Sequence, residues 1–466
     1  MSLLNTLKAQ LSCEPLLSVK HIVVAYSGGV DSHVLLHALH SVRQEAQVDF
    51  DLSAIHIHHG LSQHADQWQT HCQRVCFELN IDFQTANVLV EALPRHSLEA
   101  QARDARYNKL VELAPANCQV VLGQHQDDQL ETFLLQLKRG AGPKGLSAMN
   151  RTWTSHCSIQ ADKQVKFYRP LLNTPQQVIL DYAQQHNLQW CEDESNQNTD
   201  FERNFLRHDV LPILQNRWPE ISRSVARSAS LCAEQQDLLD EICSEKLQSI
   251  KATASSLQLP ALKQLSQSWL HQVVRYWLSE LNIQSPSLAV LNQLRPELLD
   301  AVEDATPILQ WNGWQFRRFD QQLFVLRVSP KKVTLNRVWQ GEKSIKLPNN
   351  MGDLTFTQST EVHSGDKSQL TVNPNLGPFM LRFGGYSARF KPVGSNHSKP
   401  IKQWFKEWKV APWLRESALL VIQNEKVIAL RLNGCWKIAQ IAKPNIENAL
   451  QLNITIENPA KLLHSN

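Results

Sequence analysis

The 466-residue sequence predicts an α/β fold: an N-terminal doubly wound parallel sheet, then a mainly helical domain, then a small mixed α/β domain. Three observations predict it. Short β-type runs begin near residues 21, 52, 82 and 118 (His21–Tyr26, Leu52–His56, Asp82–Asn87, Gln119–Gly123). Helical patterns lie between them, such as Val30, Val34, Leu35 and Ala38, or Val75 and Leu79. A strand about every 30 residues is the spacing of βαβ units. Second, no glycine occurs from about Pro219 to Gln310, and Leu231, Leu238, Leu239 and Ile242 follow a heptad-like spacing that argues for helices. Trp269, Tyr276 and Trp277 are expected to fill the core there. Third, strand-like runs return beyond residue 311 (Gln322–Val328, Leu354–Gln358), separated by Pro, Asn and Gly. The expected division is 1–215 for the sheet, 216–330 for the helices, 331–375 as a linker with short strands, and 376–466 for the last unit.

Composition sets the limits. Apolar residues make up 42% and charged residues 20%, which excludes a mainly disordered or fibrous chain. The net charge of +3 points to no polyanion partner by itself. The nine cysteines are odd in number and form no CxxC, as expected of reduced thiols in a cytoplasmic protein. His71, Cys72 and Cys76 could share a helix face, but no fourth metal ligand is evident, so helix packing is the expectation. No apolar run reaches the roughly 18 residues that cross a bilayer, so no membrane partner is expected. Glycine is scarce, 16 in all, so each one is expected to serve a geometry that other residues resist.

The first βα junction holds two of them. His21–Tyr26 runs directly into Ser27-Gly28-Gly29-Val30-Asp31-Ser32 and then a helix. Backbone N–H groups in such a turn form an anion nest, reinforced by the helix dipole. Gly28 and Gly29 are expected to allow positive φ, Ser27 and Ser32 to donate hydroxyls, and Asp31 to hold Mg²⁺ on phosphates. A Walker A loop needs GK[ST], which is absent. In doubly wound sheets the ligand sits at the carboxyl ends of the strands, so the other strand ends merit the same scrutiny.

After the second strand comes His56-Ile57-His58-His59-Gly60-Leu61-Ser62, a ligand segment or a His-rich strand end. Glu99, Arg103 and Arg106 share one helix face, as functional cations or as a solvated ion-pair stripe. After the fourth strand stands Gly123-Gln124-His125-Gln126-Asp127-Asp128-Gln129-Leu130-Glu131-Thr132, whose acids match a helix N-terminus and also lie at a strand's carboxyl end. Lys138, Arg139 and Lys144 flank Gly140, Gly142 and Gly145 in a shaped basic loop. Arg169-Pro170-Leu171-Leu172 and Asp193-Glu194-Ser195-Asn196 precede Arg203 and Arg207, two cations one helical turn apart.

The SGGVDS loop resembles the pyrophosphate loop of the ATP pyrophosphatase (PP-loop) superfamily. The ordered set SGGVDS, HxxHGL, ARxxRY, HxDDQxET, KRGxGxxGL, RPLL, DxSN and RNxxR, over about 27–207, resembles the tRNA(Ile)-lysidine synthetases. Gln124 departs from the pattern, since many relatives carry there the first His of a pair. The resemblance implies an adenine-nucleotide α-hydrolase-like sheet domain, ATP and Mg²⁺ as cofactors, and free L-lysine and an isoleucine tRNA with a CAU anticodon as substrates. ATP would adenylate the C2 carbonyl oxygen of the wobble cytidine, and the lysine ε-amine would displace AMP. Ser27–Ser32 would bind ATP. Asp31, Asp128, Arg103 and Arg106 would be catalytic, and His125, Asp127, Asp128, Arg203 and Arg207 would contact lysine or adenylate. Asp128 is the first choice for orienting the lysine amine, and Asp127 the second.

Between 376 and 415 eight Lys or Arg stand against one acid, Glu407, giving +7 in a chain whose sum is +3. This stretch resembles the small C-terminal module of the longer synthetases. A basic run with interleaved aromatics is the footprint of nucleic-acid contact, expected through Lys399, Lys402, Lys406, Lys409 and Arg415 together with Lys138, Arg139 and Lys144. The alternative is a packed helix with inward-facing Trp404, Trp408 and Trp413 and solvated lysines, and both can hold at once. The helical and C-terminal domains are thus expected to bind tRNA, with a homodimer as a candidate assembly. The rivals are a tRNA thiolase, which needs reactive cysteines near the loop, and a tRNA-binding protein with a decayed nucleotide fold.

Overall fold

The computed structural model describes the chain except residues 1–2, 12–18, 46–49, 59–63, 89–97, 157–162, 193, 303–304, 329–333, 360–369, 373–376, 433, 441–450 and 458–466. His59, Gly60, Leu61, Ser62 and Asp193 therefore lie outside the described residues. The chain forms two compact units, Met1–Leu239 and Asp240–Asn466.

The first unit runs α1 (Leu3–Leu11), β1 (His21–Ala25), α2 (Val30–Glu45), β2 (Asp51–His58), α3 (Ala65–Glu78), β3 (Asp82–Asn87), α4 (Leu98–Leu113), β4 (Gln119–Val121), α5 (Gln126–Lys138) and α6 (Pro143–Leu146). It continues through β5 (Thr152–His156), β6 (Gln164–Tyr168), α7 (Gln176–Gln185), α8 (Glu202–Phe205) and α9 (Leu211–Arg217) into the long α10 (Ile221–Ile250). All four expected strands are present, in the order β3-β2-β1-β4-β6-β5. The pairs from β3 to β6 are parallel, and β5 joins antiparallel to β6. The order reverses between β1 and β4, so both open a crevice at their carboxyl ends, as doubly wound sheets do for ligands. The Ile22–Val24 run is buried on both faces, with Val24 packing toward α2 and Val23 toward α4.

Cys72 and Cys76 are buried in the α2–α3 core, and no metal-ligand group of three or more occurs among the described residues. Burial pushes both thiols well above the usual cysteine range. No helix among the described residues is long and apolar enough to cross a membrane.

In the second unit, α11 (Leu259–Gln264), α12 (Gln267–Glu280) and α13 (Leu288–Gln293) accompany a five-stranded sheet, of which the sequence announced only the strand at Gln322–Val328. It comprises β7 (Lys251–Thr253), β8 (Ser256–Gln258), β9 (Ile308–Trp311), β10 (Trp314–Phe319) and β11 (Gln322–Arg327), in the order β7-β8-β11-β10-β9. Of the three aromatics expected in the core, only Trp277 is fully buried. Trp269 and Tyr276 are half-buried, and the Lys246 ammonium lies over the Trp269 ring. The α10 helix forms as expected, but Leu231, Leu238 and Ile242 are exposed, so the heptad spacing marks no packed seam.

The segment read as a linker is woven into sheets. β12 (Asn336–Val338) pairs with β16 (Phe379–Phe383), while β13 (Ser344–Lys346), β14 (Asp353–Ser359) and β15 (Leu370–Val372) build a sheet with β22 (Gln451–Glu457). The remainder is β17 (Arg389–Phe390), β18 (Lys399–Pro400), α14 (Ile401–Glu407), α15 (Pro412–Arg415), β19 (Leu419–Gln423), β20 (Lys426–Leu432) and β21 (Cys435–Ile438). Strand pairing thus crosses the expected boundary at 375/376.

Candidate functional site

The β1–α2 turn is closed by its own serines. The Ser27 N–H donates to Ser32 Oγ (3.2 Å), the two hydroxyls lie 3.0 Å apart, and Ser32 Oγ donates to the Gly29 carbonyl (3.0 Å). Gly28 has φ +90°, and a methyl there would meet Cys72 Sγ at 3.1 Å. Gly29 has no positive φ, and a methyl there would meet only Ser27 Oγ, at an ordinary 3.6 Å, so only Gly28 has the backbone expected of both. Val30, half-buried, begins α2 and packs on its core. Gly123 fills a role that local sequence pattern does not reveal: a methyl on it would lie 2.9 Å from the Asp31 carbonyl carbon, so the β4 loop rests on the first turn of α2.

That close approach brings the carboxylates together. His125 caps α5, accepting the Asp127 N–H at Nδ1 (3.2 Å), while Asp128 Oδ2 accepts the His125 N–H (2.9 Å). With Nδ1 an acceptor, Nε2 is the ring nitrogen left to carry a proton. That buried nitrogen faces Asp128 Oδ2 at 3.5 Å and Asp31 Oδ1 at 3.7 Å. Asp31 Oδ1 is buried with no hydrogen-bond partner. Burial, reinforced by the Asp128 charge and opposed by His125 and Arg207, holds the Asp31 carboxyl above the usual range.

Asp127 behaves differently. Its oxygens accept the Gln176 N–H (3.1 Å), Gln215 Nε2 (3.0 Å) and Ser222 Oγ (2.6 Å), so it ties α5 to α7, α9 and α10. Of the two candidate lysine-orienting acids, Asp127 is thus committed to the framework, whereas Asp128 lines the cavity.

Arg207, between α8 and α9, reaches back to α5. Its Nε donates to Glu131 (2.7 Å), and its Nη2 to both Glu131 (3.0 Å) and Asp128 (3.3 Å). Burial opposes its charge, but Glu131 and Asp128 outweigh that and raise its pKa. Glu131, 1% exposed, belongs to a motif of the sequence but was not foreseen as a site residue. Burial raises its carboxyl despite Arg207.

A cavity of about 720 Å³ gathers Ser27, Asp31, Asp128, Arg106, Arg203 and Arg207, with Glu194 and Asn196 of the DxSN stretch. Arg106 Nε is buried without a partner there, and burial lowers its pKa. His56 and His58 also line this cavity; His56 is buried, with Nδ1 2.9 Å from the Tyr26 carbonyl. His58 pairs with Asp66.

Arg103 lines a second cavity, of about 490 Å³, with Arg139, Arg169 and Arg203. Arg169 was not singled out from its RPLL motif. It is 4% exposed, donates from Nε to Gln124 Oε1 (2.9 Å) and from Nη1 to the Asn150 carbonyl, and lies 4.0 Å over Trp153. Gln124, the departure from the family pattern, thus has a built partner. In the basic loop Lys138 pairs with Glu202 (2.6 Å), Lys144 is exposed, and Gly140 takes φ +67°.

Of the C-terminal cations, Lys402 and Lys406 are exposed on α14. Lys399 pairs with Glu407 and lies over Trp404, Lys409 pairs with Asp320 (2.9 Å), and Arg415 donates to the Val410 carbonyl (2.9 Å). Trp404 is buried and Trp408 and Trp413 are half-buried, so packing and a basic surface coexist.

Three family descriptions match the chain: PP-loop domain at residues 4–214, TilS substrate binding domain at 257–324, and TilS substrate C-terminal domain at 379–452. The chain is similar to the tRNA(Ile)-lysidine synthase of Serratia proteamaculans (strain 568), 39% identical over 91% of this chain and 93% of the relative. It is also similar to that of Edwardsiella ictaluri (strain 93-146), 37% identical over 91% of this chain and 94% of the relative.

Proposed function

The chain belongs to the tRNA(Ile)-lysidine synthase family, and on that premise we propose that it is an ATP-dependent ligase joining lysine to C2 of the wobble cytidine in isoleucine tRNA with a CAU anticodon. The observation that carries the site assignment is one buried imidazole, His125, facing both Asp31 of the phosphate loop and Asp128 of the neighbouring strand end.

In the first step the cytidine O2 attacks the ATP α-phosphorus, and the bond to pyrophosphate breaks. The Ser27–Ser32 turn and the N-terminal N–H groups of α2 hold the departing pyrophosphate. Asp31 fits Mg²⁺, since its buried Oδ1 is an unpartnered hard oxygen at the phosphate loop. When bound, the ion neutralises phosphate charge. In the second step the lysine ε-nitrogen attacks C2, the C2–O bond breaks, and AMP leaves with the oxygen. Asp128 orients the incoming ammonium, and a carboxylate there accepts the proton that the amine must lose. Arg106, Arg203 and Arg207 line the same cavity, where planar guanidinium suits the adenylate phosphate. Residues 216–330 and 376–466 hold the tRNA, an assignment supported by the basic surface of α14 and by the matches to substrate-binding domains. An enzyme acting on tRNA works in the cytoplasm.

The test is transfer of radiolabelled lysine to isoleucine tRNA with a CAU anticodon, against elongator methionine tRNA. Transfer to the first alone is expected. Transfer to neither overturns the assignment. Cysteine alkylation that abolished activity through chemistry rather than unfolding would favour the thiolase reading.

A further inference from the structure

The second cavity is chemically unlike the first. Four arginines line it (Arg103, Arg139, Arg169 and Arg203), and no Asp or Glu is among its described lining residues. Arg169 is buried with no carboxylate ion pair among the described residues; its partners are an amide, a carbonyl, the Trp153 face and the Tyr107 phenol, and the Asp128 charge acts on it without a hydrogen bond. A guanidinium withdrawn from water without an ion-paired carboxylate is stabilised when an anion joins it. Tyr107, with Arg103 and Arg106 5.3 and 5.6 Å from its ring centroid, buries its Oη beside the Arg169 and Arg106 guanidinium groups. Burial alone would raise this phenol's pKa, but Arg103, Arg169 and Arg106 outweigh it and lower it, a measure of the local positive field.

Trp153 offers no free face for stacking. Arg169 covers one face at 4.0 Å, and Phe167 stacks on the ring at 4.8 Å with an 11° tilt. The cavity therefore recognises charge rather than a base. Its volume, about 490 Å³, suits a nucleotide-sized unit.

We propose that this arginine cavity binds the phosphodiester backbone of the tRNA next to the reacting cytidine, separately from the ATP site. The proposal rests on the lysidine synthase reading and deepens it. Oxyanions could also come from the lysine α-carboxylate or the ATP phosphates. One carboxylate is matched by one bidentate arginine, whereas four arginines match consecutive phosphates. The ATP phosphates already have their turn at Ser27–Ser32. Arg203 lines both cavities, and the Arg169–Gln124 bond reaches the loop that carries His125 and Asp128. Occupancy of the backbone site is therefore one hydrogen bond from the reacting centre.

The experiment measures binding of the full-length enzyme to isoleucine tRNA by fluorescence anisotropy across a KCl series, without ATP or lysine. The variants are Arg139→Gln, Arg103→Gln and Arg169→Lys. Each is expected to weaken tRNA binding about tenfold, and the two Gln variants to flatten the log K against log[salt] slope by roughly 0.7–0.9 for every phosphate no longer neutralised, whereas Arg169→Lys keeps its charge and its slope. In Arg139→Gln, KM for ATP and for lysine should stay unchanged. Arg139 is exposed at the end of α5, so its variant remains informative if Arg169→Lys fails to fold. An unchanged slope with a raised lysine KM would assign the cavity to the amino-acid carboxylate. A raised ATP KM would assign it to the triphosphate. Either result overturns the proposal. Because binding is measured without turnover, absence of lysine transfer by the wild-type enzyme is a distinct failure that strikes the functional reading alone.

Discussion

The two units of the chain handle positive charge in opposite ways. In the first, cations are set into the structure: Arg169 is 4% exposed over Trp153, and Arg207 clasps a nearly fully buried Glu131 through two hydrogen bonds. In the second, Lys402 and Lys406 stand in solvent while the aromatics between them turn inward, with Trp404 and Phe405 buried. A buried guanidinium has one geometry and selects one anion. An exposed ammonium on a flexible stem contributes attraction without direction. The difference teaches where specificity and where bulk affinity for a polyanion reside.

The most forceful way to break that comparison is at the built site. Asp31→Asn removes the carboxylate beside His125 but keeps its size. ATP–pyrophosphate exchange and lysine transfer are both expected to fall by about 100-fold or more, the order of effect when a group aimed at transition-state charge is removed. Circular dichroism should be unchanged. Retained exchange would remove Asp31 from the chemistry.

A finer test compares two glycines of the same site. Gly123→Ala puts a methyl 2.9 Å from the Asp31 backbone, whereas Gly29→Ala puts one in ordinary van der Waals contact with Ser27 Oγ at 3.6 Å. Overpacking of this kind destabilises by about 1–3 kcal/mol. Gly123→Ala should lower Tm and raise KM for ATP, while Gly29→Ala should leave Tm nearly unchanged. Equal behaviour would show that the strand-end packing does not position the loop.

These residues also show what was legible in the sequence. The Ser27–Ser32 turn could be read because its parts are contiguous and its hydrogen bonds span at most five residues. The first four strands, β1 to β4, could be read from their spacing. The Arg169–Gln124 bond joins residues 45 apart, and Asp127 meets Ser222 at a separation of 95, so no local pattern announces either. The acidic pair was legible, but which acid faces the cavity depends on α7, α9 and α10 arriving beside Asp127. In the second unit, β7, β8 and β9 are three or four residues long, too short for a period-two signal. Spacing on α10 pointed correctly to a helix but said nothing of whether a partner covers Leu231, Leu238 and Ile242.

The exposed side of the comparison predicts smaller effects. The double variant Lys402→Ala, Lys406→Ala should weaken tRNA binding a few-fold at low salt. The deficit should shrink as KCl rises, because screening removes what these side chains contribute. Thermal unfolding should not move, since neither side chain is packed. A deficit that persists at high salt would mean that α14 binds the tRNA in a directed way, and the contrast with the arginine cavity would fail.

The mildest effect concerns two histidines of α2, His33 buried and His37 half-buried. Burial, with the His71 ring nearby, lowers His33 to about 4, and burial together with His186 and His40 lowers His37 to about 4. An unfolded histidine titrates near 6.5. Below that pH the unfolded chain takes up protons that these native side chains refuse until about pH 4. The unfolded state therefore binds more protons in this window, and stability falls as the pH drops through it. Above the window the contribution is fully present. Urea midpoints should accordingly be lower at pH 5 than at pH 7.5. His37→Gln, which keeps a polar partner for the Tyr182 hydroxyl now 3.0 Å from Nδ1, should narrow the gap between them. Equal narrowing by His397→Gln, an exposed histidine of the second unit, would show that burial is not its source.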